Sequence, residues 1–176
     1  GVDFEYFNST GIFQNDPKRM KGYTYEGGVR VPFIVSWPEK IKSSRVVNDI
    51  SISYDLFPTL SEISGANDSF SYNTDGISLL DIITDDSKFL EREYIYWEFP
   101  SYGGQQAARM GDYKAVLMDI KKGNKKIELY DLSNDLKEEN DISDQFPEII
   151  KKFENIFKYE HTKSEIKRFE LGYIDN

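Results

Sequence analysis

Between residues 92 and 160 the sequence changes its hydrophobic period, and that change constrains the fold more than any other feature. Four short strand-like runs come first: Tyr94–Trp97, Ala107–Met110, Tyr113–Met118 and Ile127–Tyr130. Gly103-Gly104, Gly111-Asp112 and Lys122-Gly123-Asn124 separate them. Such spacing predicts an antiparallel meander, and the last two separators are compatible with hairpins. Then Phe146, Ile149, Ile150, Phe153, Ile156 and Phe157 recur at helical spacing, which predicts a helix over residues 146–160. Pro147 suits its first turn, and Ser143 and Asp144 upstream are candidate caps. That helix would cover one face of the meander, and residues 162–176 read as a tail.

The front half is less regular. Residues 1–30 carry the turn signals Asn8-Ser9-Thr10-Gly11 and Asn15-Asp16-Pro17 and read as loop-rich. Val31-Pro32-Phe33-Ile34-Val35 suits a buried strand, with Pro32 tolerated at its beginning. Asp55–Gly65 reads as a short helix: Pro58 fits the first turn, Leu56, Phe57, Leu60 and Ile63 share a face, and Gly65 ends it. Residues 66–75 are polar and looped. The strand at 31–35 wants parallel neighbours that the chain does not clearly supply. With a start at Gly1 and no initiator Met, this predicts a piece of a larger α/β parent. The expected division is 1–91, a remnant of an α/β domain, and 92–176, an α+β subdomain.

Composition narrows the function. At 176 residues with 15% aromatics the chain can build a proper core. A net charge of −9 excludes a basic nucleic-acid footprint, so any anion must be held by a local site. The absence of cysteine excludes disulfides, thiolate metal sites and cysteine nucleophiles. No apolar run approaches the roughly 20 residues of a membrane helix.

Few residues offer chemistry of their own. His161 is the sole histidine; it reads as a surface residue at a helix C-terminus, where a cation is favoured. No Gly-x-Ser-x-Gly elbow supports a triad through it. Asp131-Leu132-Ser133-Asn134-Asp135 opens like a calcium loop, but Leu136 stands where that loop requires glycine. The acidic run Glu138-Glu139-Asn140-Asp141 reads as a solvated turn. The most unusual stretch is Lys18–Pro32, where basic side chains, adjacent glycines and a glutamate precede an apolar run. Lys21 there is a point charge suited to a tetrahedral anion, although the residues alone favour a basic surface loop.

Five motifs resemble those of the sulfatases, in the family's order. Lys21-Gly22-Tyr23-Thr24-Tyr25-Glu26-Gly27-Gly28-Val29-Arg30-Val31-Pro32 is similar to K-x-x-x-Y-E-G-G-x-R-x-P, with Trp37-Pro38 behind it. Asp55-Leu56-Phe57-Pro58-Thr59-Leu60 resembles D-x-x-P-T-L, and Asp75-Gly76-Ile77-Ser78-Leu79 resembles D-G-x-S-L. Gln106-Ala107-Ala108-Arg109-Met110-Gly111-Asp112-Tyr113-Lys114 resembles Q-A-x-R-x-G-x-W/Y-K. Glu128-Leu129-Tyr130-Asp131-Leu132, with Asp135, Glu138 and Asn140, resembles E-L-Y-D-L-x-x-D-x-x-E-x-N.

The resemblance implies the C-terminal part of an arylsulfatase-type enzyme of the alkaline-phosphatase-like superfamily. The fold expected is α/β, α+β in its C-terminal part, with an antiparallel sheet of about four strands covered by a helix. It implies that Lys21 is catalytic and substrate-binding, contacting the sulfate oxygens and balancing charge on the leaving ester oxygen. Glu26 and Arg30 are expected to be structural, as a buried or semi-buried pair, with substrate contact as the alternative. Trp97 and Tyr102 are candidates for stacking on a sugar or aryl group at the pocket rim, with core packing as the alternative; Tyr113 and Tyr130 are expected in the core. The family's formylglycine nucleophile and calcium ligands have no counterpart motif here, so no cofactor is expected in this chain. Both are expected in the complete protein, and this chain alone is expected to be inactive. The expected partners are a sulfate-ester substrate and the missing N-terminal catalytic part, with no nucleic acid and no membrane. The parent is expected to be bacterial and periplasmic or secreted. Two alternatives stay open: a related phosphodiesterase or phosphonate monoester hydrolase, and a non-catalytic packing or binding domain.

Overall fold

A computed structural model describes residues 11–13, 16–66 and 74–175. The turn signals at residues 8–10 and 15 and most of the expected 66–75 loop lie outside these residues. The chain divides into two compact units, Gly1–Val31 with Glu93–Asn176, and Pro32–Arg92. The second division falls beside the expected 91/92 boundary. The described residues up to Val31, however, group with the C-terminal sheet and not with the segment that follows them.

The first unit is built on a four-stranded antiparallel meander, order β1-β2-β3-β4. The strands are β1 Ile95–Phe99, β2 Gln105–Met110, β3 Tyr113–Leu117 and β4 Ile127–Asp131. Met110 pairs with Tyr113, so Gly111-Asp112 is a two-residue turn, with Gly111 at φ +59. The second expected hairpin is longer. Leu117 pairs with Ile127, and the connection carries a 3₁₀ turn at Ile120–Lys122.

A short helix, α1 Glu26–Val29, precedes the sheet in this unit, and the long helix after the sheet runs Pro147–Glu160. Its Phe153, Ile156 and Phe157 pack on Ala108, Ala115, Leu117, Ile127 and Leu129. These are the residues that strand alternation puts on one face. The expected caps are not caps. Ser143 and Asp144 lie within a 3₁₀ turn, Ser143–Gln145, and Phe146 occupies the N-cap without a side-chain bond. Nor are residues 162–175 a loose tail. Leu171 is fully buried in the same core, Tyr173 Oη donates to Asn124 O at 3.0 Å, and Lys163 Nζ donates to Asp175 O at 2.8 Å. The sequence gives no long periodic run there, so these side-chain anchors left no pattern to read.

The second unit turns on one buried carboxylate. Its helices are α2 Leu56–Ile63 and α3 Leu80–Thr84; with these counted, the long helix is α4. Asp55 is fully buried just before α2; its oxygens accept from Ile52 N and Ile77 N, both at 2.9 Å, and from Arg92 Nη2 at 2.5 Å. Thr59, one turn on, accepts from Leu79 N at 2.8 Å. The D-x-x-P-T-L and D-G-x-S-L segments are therefore clamped together through main-chain donors. The apolar run at 31–35 is the main departure from expectation. No strand forms over it among the described residues, and Val31 and Ile34 are 74% and 89% exposed. The apolar positions of α2, Leu56, Phe57, Leu60 and Ile63, are exposed as well.

Phe153 is fully buried at the centre of the α4–sheet contact. Phe153→Ala is expected to lower the unfolding free energy by about 3–5 kcal/mol, read from urea denaturation.

Candidate active-site turn and its buried support

The segment around Arg19–Arg30 packs on the sheet face opposite α4. Tyr25 is buried with Ala107, Val116, Tyr130 and Leu132, and Tyr23, Trp97 and Met118 pack around them. Arg19 stacks over the Tyr25 ring at 4.4 Å and donates to Glu138 O. Tyr25 and Tyr130 both donate their hydroxyls to Glu128 Oε2, at 2.5 and 2.8 Å. Burial, reinforced by that neighbouring carboxylate, raises both phenol pKa values, so both stay protonated donors.

The centre of this face is ionic. Lys114, from β3, has no exposure, and its Nζ lies 2.9 Å from Glu26 Oε1 and 3.0 Å from Glu138 Oε1. Its ammonium also sits 5.5 Å from the Trp97 ring centre. Glu26 Oε2 takes Arg30 Nε at 2.8 Å, with Arg109 at 3.9 Å, and Glu26 N donates to Glu138 Oε2 at 2.6 Å. The expected Glu26–Arg30 pair is thus present. Burial alone would raise the Glu26 pKa, but Lys114 and Arg30 more than reverse it and hold the carboxyl below its ordinary value. For Glu138 burial prevails over the same ammonium, and its pKa is raised. The expectation of a solvated turn fails at Glu138, which is 1% exposed. Asp135 explains why: its carboxylate accepts Glu139 N at 3.0 Å and Asn140 N at 2.8 Å, and this turn directs Glu138 inward at φ +59. Asp131 caps Ser133 N at 3.0 Å, so the calcium-like run is a hydrogen-bonded turn.

Lys21 stands on the turn that this network supports. Tyr23 N closes the turn onto Met20 O at 3.0 Å. Gln105, fully buried at the start of β2, holds it by main-chain atoms. Its Nε2 donates to Gly22 O at 2.9 Å, and its Oε1 accepts Thr24 N at 3.0 Å. Gly28 permits α1 to close against the same turn, since a Cβ there would lie 2.0 Å from Tyr23 O. Lys21 itself is exposed. Tyr102 is brought beside it: its ring stacks on Tyr23 at 5.3 Å between centres. Trp97 is instead half-buried in the aromatic packing around Lys114. His161 is not a surface residue. Its Nδ1 is 2.8 Å from Glu98 Oε2 and its Nε2 is 3.4 Å from Asp175 Oδ1, remote in sequence from the Lys21 turn. Sequence reasoning missed Gln105, Lys114 and Glu138 as supports. The signal available was their place within or beside the quoted motifs.

Among the described residues, no group of three or more His, Cys, Asp or Glu is arranged to hold a metal ion. Buried Glu26 and Glu138 face Lys114, Asp55 faces Arg92, and Asp175 faces His161. These carboxylates are matched to cations or hydrogen-bond donors and do not fit the calcium that the family resemblance implies.

The sequence model of the N-sulphoglucosamine sulphohydrolase C-terminal family matches residues 15–163. The chain belongs to this family of sulfatases. It is 31% identical over 149 residues to a sulfatase of Formosa agariphila, covering 78% of this chain and 27% of that protein. It is 33% identical over 108 residues to the steryl-sulfatase of Mus musculus, covering 61% of this chain and 16% of that one. Among solved structures, a Bacteroides fragilis protein described as a sulfatase matches with a TM-score of 0.60 at 20% identity, over 80% of this chain and 30% of its own. The chain thus spans less than a third of each of these proteins. The family resemblance and the fold, a four-stranded antiparallel sheet with helices, both hold.

Removing the shared cation exposes the role of the network. In Lys114→Met two carboxylates remain buried side by side, and a loss of about 3–5 kcal/mol is expected. Without the ammonium Glu138, already raised, is raised further, and Glu26 loses the largest of the charges that hold it down. The variant is therefore expected to lose more stability than the wild type as pH rises from 4 to 8. Urea midpoints for both proteins across that range check the steeper fall.

Proposed function

We propose that this chain is part of an enzyme that hydrolyses sulfate esters, and that Lys21 acts directly on the sulfate. The observation that carries the proposal is an exposed ammonium on a segment whose main chain is fixed from below by the side chains of Gln105 and Glu138. When the S–O bond to the leaving group breaks, negative charge grows on the ester oxygen. A cation held in place before that moment stabilises the charge without reorganising. Lys21 makes no hydrogen bond or ion pair with the described residues, so its charge is not spent on any carboxylate among them. Glu26 and Arg30 serve as scaffold in this proposal, and so does Trp97.

The substrates proposed are sulfated sugars or aryl sulfates. The family description names an N-sulphoglucosamine sulphohydrolase, and one solved relative is described in complex with D-glucosamine-2-N,6-O-disulfate. Both favour a sulfated amino sugar. The nucleophile and the calcium belong to the proposal as groups held by residues other than those described. A periplasmic or secreted setting is also part of it; no helix among the described residues is long and apolar enough to cross a membrane.

The test uses the full-length enzyme. Lys21→Ala is expected to lower kcat by about 10²–10³. As an exposed substitution it should change unfolding stability by no more than about 0.5 kcal/mol. Unchanged turnover of sulfate esters, or faster turnover of a phosphate diester than of any sulfate ester, would sink the proposal.

A further inference from the structure

Lys21 occupies the corner of a turn whose two ends are held by different means. Met20 is buried, and its carbonyl accepts Tyr23 N at 3.0 Å. Gly22, third in that turn, has φ +91, as a type II turn requires there. Burial of Met20 fixes the end that enters the corner. The end that leaves it is fixed by Gln105.

The Gln105 side chain has no exposure, and its amide is wholly engaged in hydrogen bonds. Nε2 donates to Gly22 O at 2.9 Å and to Ser101 O at 3.4 Å. Oε1 accepts Thr24 N at 3.0 Å and Thr24 Oγ1 at 3.4 Å. An amide has two N–H groups and two acceptor positions, so its capacity is filled. Three of these four contacts go to the segment that bears Lys21. The two short ones have opposite polarity and lie on either side of Tyr23. One needs a donor and the other an acceptor, so an apolar side chain can supply neither and a carboxylate only one. Gln105 main chain meanwhile pairs with Phe99 in the sheet, so the path of the chain beyond Lys21 is referred to β2. A satisfied buried amide adds little net stability, because its partners bond to water in the unfolded chain. What it fixes is geometry.

We infer that Gln105 is a positioning residue for the reaction at Lys21; this rests on the sulfate-ester reading of Lys21. Its amide fixes the main chain from which the ammonium reaches the leaving oxygen, and it touches no substrate itself. The lysine stem is flexible, and among the described residues no partner holds the Lys21 ammonium, so the constraint on its place acts through the main chain. A misplacement of about 1 Å costs about 10²-fold in rate.

The experiment uses the full-length enzyme with 4-nitrophenyl sulfate and reads kcat per folded molecule, with the folded fraction taken from circular dichroism. Gln105→Met keeps the length of the side chain and removes its donor and acceptor. Its kcat should fall about 10- to 10²-fold, with KM changed less than about threefold. In a Lys21→Ala background the same substitution should cost less than about twofold, because Gln105 acts through Lys21. Gln105→Glu gives a second readout. Its protonated carboxyl can donate to Gly22 O and accept from Thr24 N, as the amide does, whereas its carboxylate only accepts. Burial favours the neutral form, so the ratio of its kcat to that of wild type should rise about tenfold or more as pH falls from about 8 to 5. Wild-type kcat in folded Gln105→Met, equal losses with and without Lys21, or a flat Gln105→Glu ratio each overturn the assignment. If Gln105→Met does not fold, the Gln105→Glu ratio decides. Full activity in Lys21→Ala removes the sulfate-ester reading and the role of Gln105 with it. Lost turnover there, beside wild-type kcat in Gln105→Met, removes the role of Gln105 alone.

Discussion

Lys114 Nζ lies between Glu26 and Glu138, at 2.9 and 3.0 Å, without contact with solvent. Three stretches far apart in sequence meet at this one charge: the segment bearing Lys21, the hairpin β2–β3, and the turn after β4. Burial penalises each group, and each is tolerable only because the others are present. The arrangement is conditional in a way that apolar packing is not. A methyl lost from a core leaves a small cavity, whereas one charge lost from this set leaves another without a partner. The α4 face of the sheet supplies apolar burial, and the opposite face fixes which segment lies across it and in what register.

The sheet and the long helix were legible because their periods are strong. Alternation in Tyr113–Leu117 and the helical spacing through Phe157 each specify a face. The support beneath Lys21 was less legible for a physical reason. Lys114, Glu138 and Gln105 are polar residue types that are mostly exposed, and sequence patterns assign them outward. Their burial depends on partners about 80 to 110 residues away, as in the Glu26–Glu138 contact with a separation of 112. No local period encodes that. The segment 162–175 was missed for a related reason, being anchored by single contacts such as Tyr173 to Asn124 and not by a repeating face.

The unit Pro32–Arg92 shows the reverse imbalance. Its polar centre at Asp55 is complete, with two main-chain donors and Arg92 on one carboxylate. Leu79 and Ile82 are buried, but Phe33, Ile34, Leu60 and the rest of the apolar α2 face lie exposed. Val31–Val35 was expected to be buried because its composition suits a strand covered on both sides. Composition records what a segment suits, and burial needs neighbours that none of the described residues provide.

Gln105 grips the Lys21 turn through Gly22 O and Thr24 N, atoms that every ordinary residue possesses. These two bonds are therefore indifferent to the side chain at position 21. Gly22 is an exception on the turn, since its φ of +91 favours glycine, and Thr24 adds a longer hydroxyl contact to Gln105 Oε1 at 3.4 Å. A grip on main chain lets the side chain that meets a substrate change while the turn beneath it stays in place.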